Sequence, residues 1–261
     1  MTMKIRLLVA YDGTAFRGWQ SQQGGGTVQD TLESAIAVIV GERLTIHGSG
    51  RTDSGVHGLG QTVHFELTSA QVTRIGRMSD PARWMPALNA ALPPELRVLK
   101  SSKAKNDFHA RFSASGKIYR YEIWNGPVLP PHLHHRAWHL HGELERTLLG
   151  KLVRMVEGRH DFRGFCAGSR SLPESTVRTI RRVTLRERGP AISITVEGDG
   201  FLYRMVRMLV GGMVRVAQGK ESPDLFAKRL AAGKPWPTPA MAPAEGLYLV
   251  KVHYSKRDKT R

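Results

Sequence analysis

Leu44-Thr45-Ile46-His47-Gly48-Ser49-Gly50-Arg51-Thr52-Asp53-Ser54-Gly55-Val56-His57-Gly58-Leu59-Gly60-Gln61-Thr62-Val63-His64-Phe65-Glu66-Leu67 reads as a strand, a glycine-rich loop and a second strand. In the second strand Val63, Phe65 and Leu67 alternate with Thr62, His64 and Glu66, the period of a half-buried strand. The first strand is expected over Leu44 to His47. Gly48, Gly50, Gly55 and Gly58 permit tight turns and close backbone approach between them. No Gly-Lys-Ser or Gly-Lys-Thr follows the glycines and no helical pattern opens after them, which excludes a P-loop and a Rossmann fingerprint. By themselves, the residues around Asp53 fit either a surface turn whose Asp bonds the backbone or a loop that presents a carboxylate.

Upstream, Lys4 to Tyr11 reads as a strand and Asp12 to Gly26 as a Gly- and Gln-rich loop. A helix follows, with Thr27 as its cap, Asp30 three residues on, and Val28, Leu32, Ile36 and Ile39 at helical spacing. A shorter helix around Arg83 to Leu92 and a strand around Leu96 to Ser101 complete a βαββαβ order. The order recurs without repetition of sequence. Lys117 to Trp124, Arg178 to Arg186, Ile192 to Glu197 and Leu247 to Tyr254 read as strands. Leu144 to Glu157, Phe201 to about Gln218 and Pro223 to Ala232 read as helices, one more than the pattern needs. The expected fold is α+β, with two ferredoxin-like (split βαβ) halves, each a mainly antiparallel sheet with helices on one face. The expected domains are residues 1–110 and 111–261. Pro235, Pro237, Pro239 and Pro243 make 233–246 an extended connection. The charged residues 255–261 are expected to fray.

Among 261 residues, 39 Lys and Arg face 22 Asp and Glu, a formal charge of +17. Such an excess calls for a polyanionic partner and for binding that weakens steeply with salt. No run approaches the roughly 20 apolar residues that span a bilayer, and the first residues lack the apolar core of a secretory signal. A cytoplasmic protein with no membrane partner is expected. The single cysteine, Cys166, agrees with a reducing compartment.

Two further segments carry candidate chemistry. In Gly116-Lys117-Ile118-Tyr119-Arg120-Tyr121 the pleat puts both tyrosines on one face, which suits either a stacked base or an ordinary core. In Gly198-Asp199-Gly200-Phe201-Leu202-Tyr203-Arg204-Met205-Val206-Arg207 a tight turn enters an apolar helix. Its Arg204 and Arg207 share a face, and either arginine needs a partner if buried. The histidines of 132–141 lie near no cysteine and have no carboxylate at ligand spacing before Glu143, so a polar or RNA-facing surface is expected rather than a metal site.

Taken together, the segments Tyr11 to Thr14 with Gly18-Trp19-Gln20, Gly50 to His57, Asp107-Phe108-His109-Ala110-Arg111-Phe112, Lys117 to Tyr121, Gly200 to Gly211 and Glu245 to Val250 resemble the TruA family of tRNA pseudouridine synthases over nearly the whole chain. The resemblance implies two βαββαβ halves in one continuous sheet with a central cleft, and a homodimer binding tRNA. It also implies isomerisation of uridine to pseudouridine at positions 38 to 40 of the anticodon stem-loop, without metal or cofactor. It makes Asp53 the catalytic carboxylate and Arg207 its partner. Tyr119 packs on the target base, Arg51 helps displace it, and Leu247 lines the pocket. The stretch from Thr73 to Pro86 is longer than the family pattern. A non-catalytic RNA-binding module of RRM-like topology is the rival reading, and a metal-dependent RNA hydrolase using the histidine segment a weaker one.

Overall fold

The computed structural model describes residues 2–166, 173–232 and 241–255. The chain folds as two compact units: Met1–Ser115 with Leu249–Arg261, and Gly116–Tyr248. The first crossing between them falls after Ser115. A linear reading could not assign residues 249–255 to the first unit, because that assignment follows from pairing between residues far apart in sequence.

In the first unit, β1 (Met3–Tyr11), α1 (Val28–Val40), β2 (His47–Gly48), β3 (His57–Leu67), α2 (Ser69–Ile75), α3 (Trp84–Ala91) and β4 (Leu96–Ala104) follow in chain order. β1 lies between β3 and β4 and is antiparallel to both. Its Ile5, Leu7 and Val9 are fully buried, and they form a core with Phe65 and Leu67 of β3 and with Val28, Leu32 and Ile36 of α1. The Thr27 side chain accepts from the Asp30 N–H and so caps α1, which stops at Gly41 in the left-handed region at φ 82. Both ends of α1 are therefore set by local chemistry, and its core face by the 3.6-residue period.

Three features depart from expectation. Leu44 to Ile46 do not form a strand, and β2 is only His47–Gly48. The Ile46 N–H instead donates to Glu33 Oε1 on α1 at 3.2 Å, so a helix side chain takes the bond a neighbouring strand would have taken. β3 starts at His57, inside the glycine-rich stretch. Its polar alternates Thr62 and His64 are only 1 % exposed, so β3 is buried on both faces from Gly60 to Phe65, while Leu59 and Glu66 remain exposed. An unanticipated α2 is held by a capping box in which the Thr68 N–H donates to Gln71 Oε1 at 2.8 Å and the Gln71 N–H donates to Thr68 Oγ1 at 3.3 Å.

The second unit takes β5 (Ala114–Trp124) from Gly116 onward, then β6 (Trp138–His139), α4 (Arg146–Met155), β7 (Gly158–Asp161), β8 (Val177–Arg188), β9 (Ala191–Gly198), α5 (Met205–Ala217), α6 (Pro223–Ala232) and the first residues of β10 (Leu247–Tyr254). The strands pair in the order β5-β9-β8-β7, each antiparallel to its neighbour, with the two-residue β6 parallel to β5. Neither β6 nor β7 was expected, because two and four residues are too short to show a period. All of α5 except Arg215 is buried. It begins at Met205 rather than Phe201, because Arg204 lies in the left-handed region at φ 60.

The rest of β10 belongs to the first unit and pairs with β3. The two strands run so close at Gly60 that a Cβ there would lie 2.5 Å from the Val250 carbonyl oxygen. The chain is thus α+β with mainly antiparallel sheet. Of the proline-rich segment, residues 233–240 lie outside the described residues, as do 256–261 of the expected frayed end. Among the described residues no helix is long and apolar enough to cross a membrane.

Candidate active site

Asp53 is half-buried in the loop between β2 and β3. Its carbonyl accepts from the Val56 N–H at 3.2 Å, and Gly55 at φ 80 supplies the left-handed third position that such a turn demands. The segment 11–19 grips this turn from one side. The Tyr11 and Thr52 hydroxyls are 2.9 Å apart, and the Trp19 N–H donates to the Thr52 carbonyl at 3.0 Å. Gly13 approaches the Val56 carbonyl so closely that a Cβ would lie 2.1 Å from its oxygen. Ser54 Oγ donates to the Phe16 carbonyl at 3.3 Å.

From the other side, buried Gln61 on β3 donates from Nε2 to the Gly50 carbonyl at 2.8 Å and accepts from Ser49 Oγ. The gripping segment 11–19 is in turn tied to the start of α1. The Val28 N–H donates to the Gly18 carbonyl at 3.1 Å, and the Gln29 N–H donates to the Trp19 carbonyl at 3.0 Å. An acid in so heavily anchored a turn has little backbone freedom, which is what positioning of a reactive group requires.

His57 contributes to the same anchoring. The Gly13 N–H donates to His57 Nδ1 at 3.2 Å, so that nitrogen is an acceptor and the ring proton sits on Nε2. Asp12 Oδ1 is 3.3 Å from Nδ1. An ion pair there would need Nδ1 protonated, which the Gly13 bond precludes. Asp12 Oδ1 instead accepts from the Thr14 N–H at 3.1 Å and from the Thr14 hydroxyl at 2.7 Å. Arg51, exposed two residues before Asp53, donates from Nε to Gln20 Oε1 at 3.1 Å. Burial pushes the Tyr11 phenol up to about 12, while hydrogen bonds to Thr52 and Gln61 pull the other way.

The remaining sequence candidates lie in the second unit. Tyr119 and Tyr121 share a face of β5, 8 % and 0 % exposed. The Tyr119 ring meets Phe201 edge-on at 5.0 Å. Arg207 is buried on α5, where its Nε donates to the Ala242 carbonyl at 2.8 Å and its own carbonyl accepts from the Ala242 N–H at 3.0 Å. This closed ring of two bonds seats the segment leading into β10 on α5. The next residues complete the attachment. Tyr121 donates its hydroxyl to the Pro243 carbonyl at 2.8 Å, and the Glu122 N–H donates to the Gly246 carbonyl at 2.8 Å. A Cβ on Gly246 would lie 2.6 Å from the Tyr121 ring, so only glycine fits. Burial raises the Tyr121 phenol far above the ordinary tyrosine value, although the Arg207 charge opposes the shift. Leu247 follows at the start of β10, buried. The structure thus groups Asp53 with Arg51 in the first unit, and Arg207, Tyr121 and Leu247 around 242–247 in the second.

The Tyr11 and Gly18 segments, Gln61 and Phe201 stand in the sequence without a task, and nothing there announces the Ala242 clamp. Tyr11, Gly13 and Trp19 turn out to hold the Asp53 loop. The available signal was the density of glycines between Gly48 and Gly60; that Gly48 abuts Trp19 and Gly58 abuts Tyr11, each at a distance a Cβ would violate, is visible only in the folded chain. Among the described residues no group of three His, Cys, Asp or Glu side chains could hold a metal ion.

Comparison with known proteins gives this arrangement a family. A family model described as tRNA pseudouridine synthase matches residues 7–113 and 152–255. Those stretches contain Asp53, Arg51, Arg207 and Leu247, whereas Tyr119 falls between them. Relatives named tRNA pseudouridine synthase A come from Geobacillus kaustophilus at 40% identity over 97% of this chain and 95% of the relative, from Acetivibrio thermocellus at 39% over 96% and 99%, and from Akkermansia muciniphila at 42% over 96% and 95%. The chain belongs to the tRNA pseudouridine synthase family.

Proposed function

We propose that the protein isomerises uridine to pseudouridine at positions 38 to 40 of the tRNA anticodon stem-loop, with Asp53 as covalent nucleophile. The observation that carries this reading is the Asp53 loop, closed by its own Val56-to-Asp53 bond and anchored at Gly50, Thr52 and Ser54 by hydrogen bonds with Gln61, Tyr11, Trp19 and Phe16. A turn serving only as a connection has no need of that much restraint.

In the reaction the N1–C1′ glycosidic bond breaks and a C5–C1′ bond forms. The proton on C5 is lost and one ends on N1, so neither redox change nor cofactor is needed. A carboxylate that adds to C1′ or to the pyrimidine ring holds the two fragments as a covalent intermediate, and is released when the new bond closes. A stem base must first leave its stack, at a cost of a few kcal/mol. Arg51 assists that displacement, and Tyr119 receives the base against its ring. Arg207 is the cationic partner of Asp53 in the reaction. Leu247 packs against the base. The active form is a cytoplasmic homodimer that binds tRNA through its +17 excess.

The test is incubation of an unmodified tRNA transcript with the wild type and with Asp53→Asn, followed by chemical mapping of pseudouridine. The wild type is expected to modify the anticodon stem and Asp53→Asn to bind tRNA without modifying it. A fully active Asp53→Asn protein would sink the mechanism. A wild type that binds without modifying would favour the RNA-binding module.

A further inference from the structure

Phe112 is 76 % exposed, yet the turn that presents it is held by a set of hydrogen bonds centred on His109. His109 Nδ1 accepts from the Arg111 N–H at 3.1 Å and from the Phe112 N–H at 3.4 Å. The Ser113 N–H donates to the His109 carbonyl at 2.9 Å, and the His109 N–H donates to Ser113 Oγ at 3.0 Å. Ala110 is fully buried beneath, its N–H on His64 Nδ1 at 3.2 Å and its carbonyl accepting from the Tyr254 hydroxyl at 2.7 Å. An exposed phenyl ring gains nothing from water, and an ordinary loop would fold it inward.

The ring ends a column of aromatic contacts. Phe112 lies 4.4 Å from His109, His109 lies 4.6 Å from His64, and His47 lies 5.1 Å from His64 and 5.2 Å from His109. The Arg111 guanidinium stands 5.6 Å from the Phe112 ring, itself exposed. A rigid aromatic face with a cation beside it, on a chain of charge +17, is complementary to a nucleobase attached to its phosphate. His47 starts β2, whose strand runs directly into the Asp53 loop, so the column and the candidate nucleophile belong to the same unit.

We infer that Phe112, backed by His109 and flanked by Arg111, is a stacking platform for an unstacked base of the tRNA substrate, separate from the nucleotide that reacts. The inference rests on tRNA being the ligand, as in the proposed function. The bases bordering a flipped nucleotide, and those of a loop, present free π-faces that any aromatic ring can receive without reading their sequence.

The test measures binding of an unmodified tRNA transcript to the wild type, Phe112→Ala, Phe112→Leu, Phe112→Trp and Arg111→Gln between low and physiological salt. Phe112→Ala and Phe112→Leu are both expected to weaken binding by about tenfold, by the same factor at every salt concentration, while Phe112→Trp binds as the wild type does. The introduced tryptophan is expected to lose fluorescence when RNA is added. Arg111→Gln should instead reduce the slope of log Kd against log salt by about one. Wild-type affinity in Phe112→Ala, or in Phe112→Leu, overturns the platform, as does an unquenched tryptophan. So does a change in sedimentation of Phe112→Ala with RNA affinity unaltered, since the ring would then serve contact between copies. Pseudouridine formation by the wild type is scored on the same transcript. Phe112-dependent binding without product would defeat the proposed activity while leaving the platform standing.

Discussion

The Tyr11 and Thr52 hydroxyls, 2.9 Å apart in the interior of the first unit, join the end of β1 to the residue immediately before Asp53. A strand in the centre of the core thus fixes the backbone of the proposed nucleophile. Tyr11→Phe removes half of that bond and leaves the Thr52 hydroxyl without this partner, at an expected cost of about 1–2 kcal/mol in stability. The folded protein holds the phenolic proton up to about 12, whereas the unfolded chain releases it near 10. This contribution is therefore complete below pH 10 and lost as the pH rises from about 10 to about 12. Denaturant unfolding across that window should show a decline in the wild type that Tyr11→Phe makes shallower.

His64 titrates in the opposite sense. Burial, followed by the charges of His109, His47 and Lys4, holds its imidazole down to about 4, with Glu66 opposing. The unfolded chain takes up that proton near 6.5. Stability is accordingly full above about pH 6.5 and declines as pH falls toward about 4. His64→Gln should flatten the decline between pH 6.5 and 4.5 in chemical denaturation, while lowering stability at neutral pH because the Ala110 N–H loses its acceptor. An unchanged acid limb would show that other groups govern it.

Gly13→Ala places a methyl group 2.1 Å from the Val56 oxygen and 2.4 Å from its carbonyl carbon, so the Asp53 loop must move. Displacement of a reacting group by about 1 Å costs roughly a hundredfold in rate. The expected result is a fall of about that size in kcat with tRNA affinity nearly unchanged. Equal losses in both would mean that the loop binds RNA rather than orienting a nucleophile.

Arg207 and Asp53 are proposed to act on one nucleotide, and a double-mutant cycle tests this. Arg207→Gln alone and Asp53→Asn alone should each lower kcat by at least about a hundredfold, and the double variant should be little worse than Asp53→Asn. Multiplied losses would mean independent roles. Arg207→Lys keeps the charge but not the planar fork, so it should restore only part of the rate lost in Arg207→Gln.

How much of this was legible depended on the range of the interactions. The ends of α1 could be read because Thr27, Asp30 and Gly41 act within a few residues, and β10 because Tyr248, Val250, Val252 and Tyr254 recur at every second position. The Leu44 to Ile46 strand failed for a non-local reason, since Glu33 on α1 captures the Ile46 N–H. Burial on both faces of β3 was hidden in the same way, because the segment covering His64 lies more than forty residues on, at Ala110. Among the site candidates, the glycine-rich loop left Asp53 open between a surface turn and a presented carboxylate, and the apolar helix left Arg207 level with Arg204, so only the family resemblance singled out either residue. The Ala242 clamp on Arg207 could not be read at all, because it brings together residues separated by 35 positions that share no pattern.

β10 completes the first unit with residues made after the entire second unit. Its Tyr254 seals Ala110 and stacks near Phe108, and its backbone crowds Gly60. A nascent chain leaving the ribosome can form the second unit while β3 still lacks this neighbour and part of its backbone is unpaired. During synthesis the half that carries Asp53 is the first to emerge and the last to be finished, so the unit holding the proposed nucleophile matures only when translation has passed Tyr254.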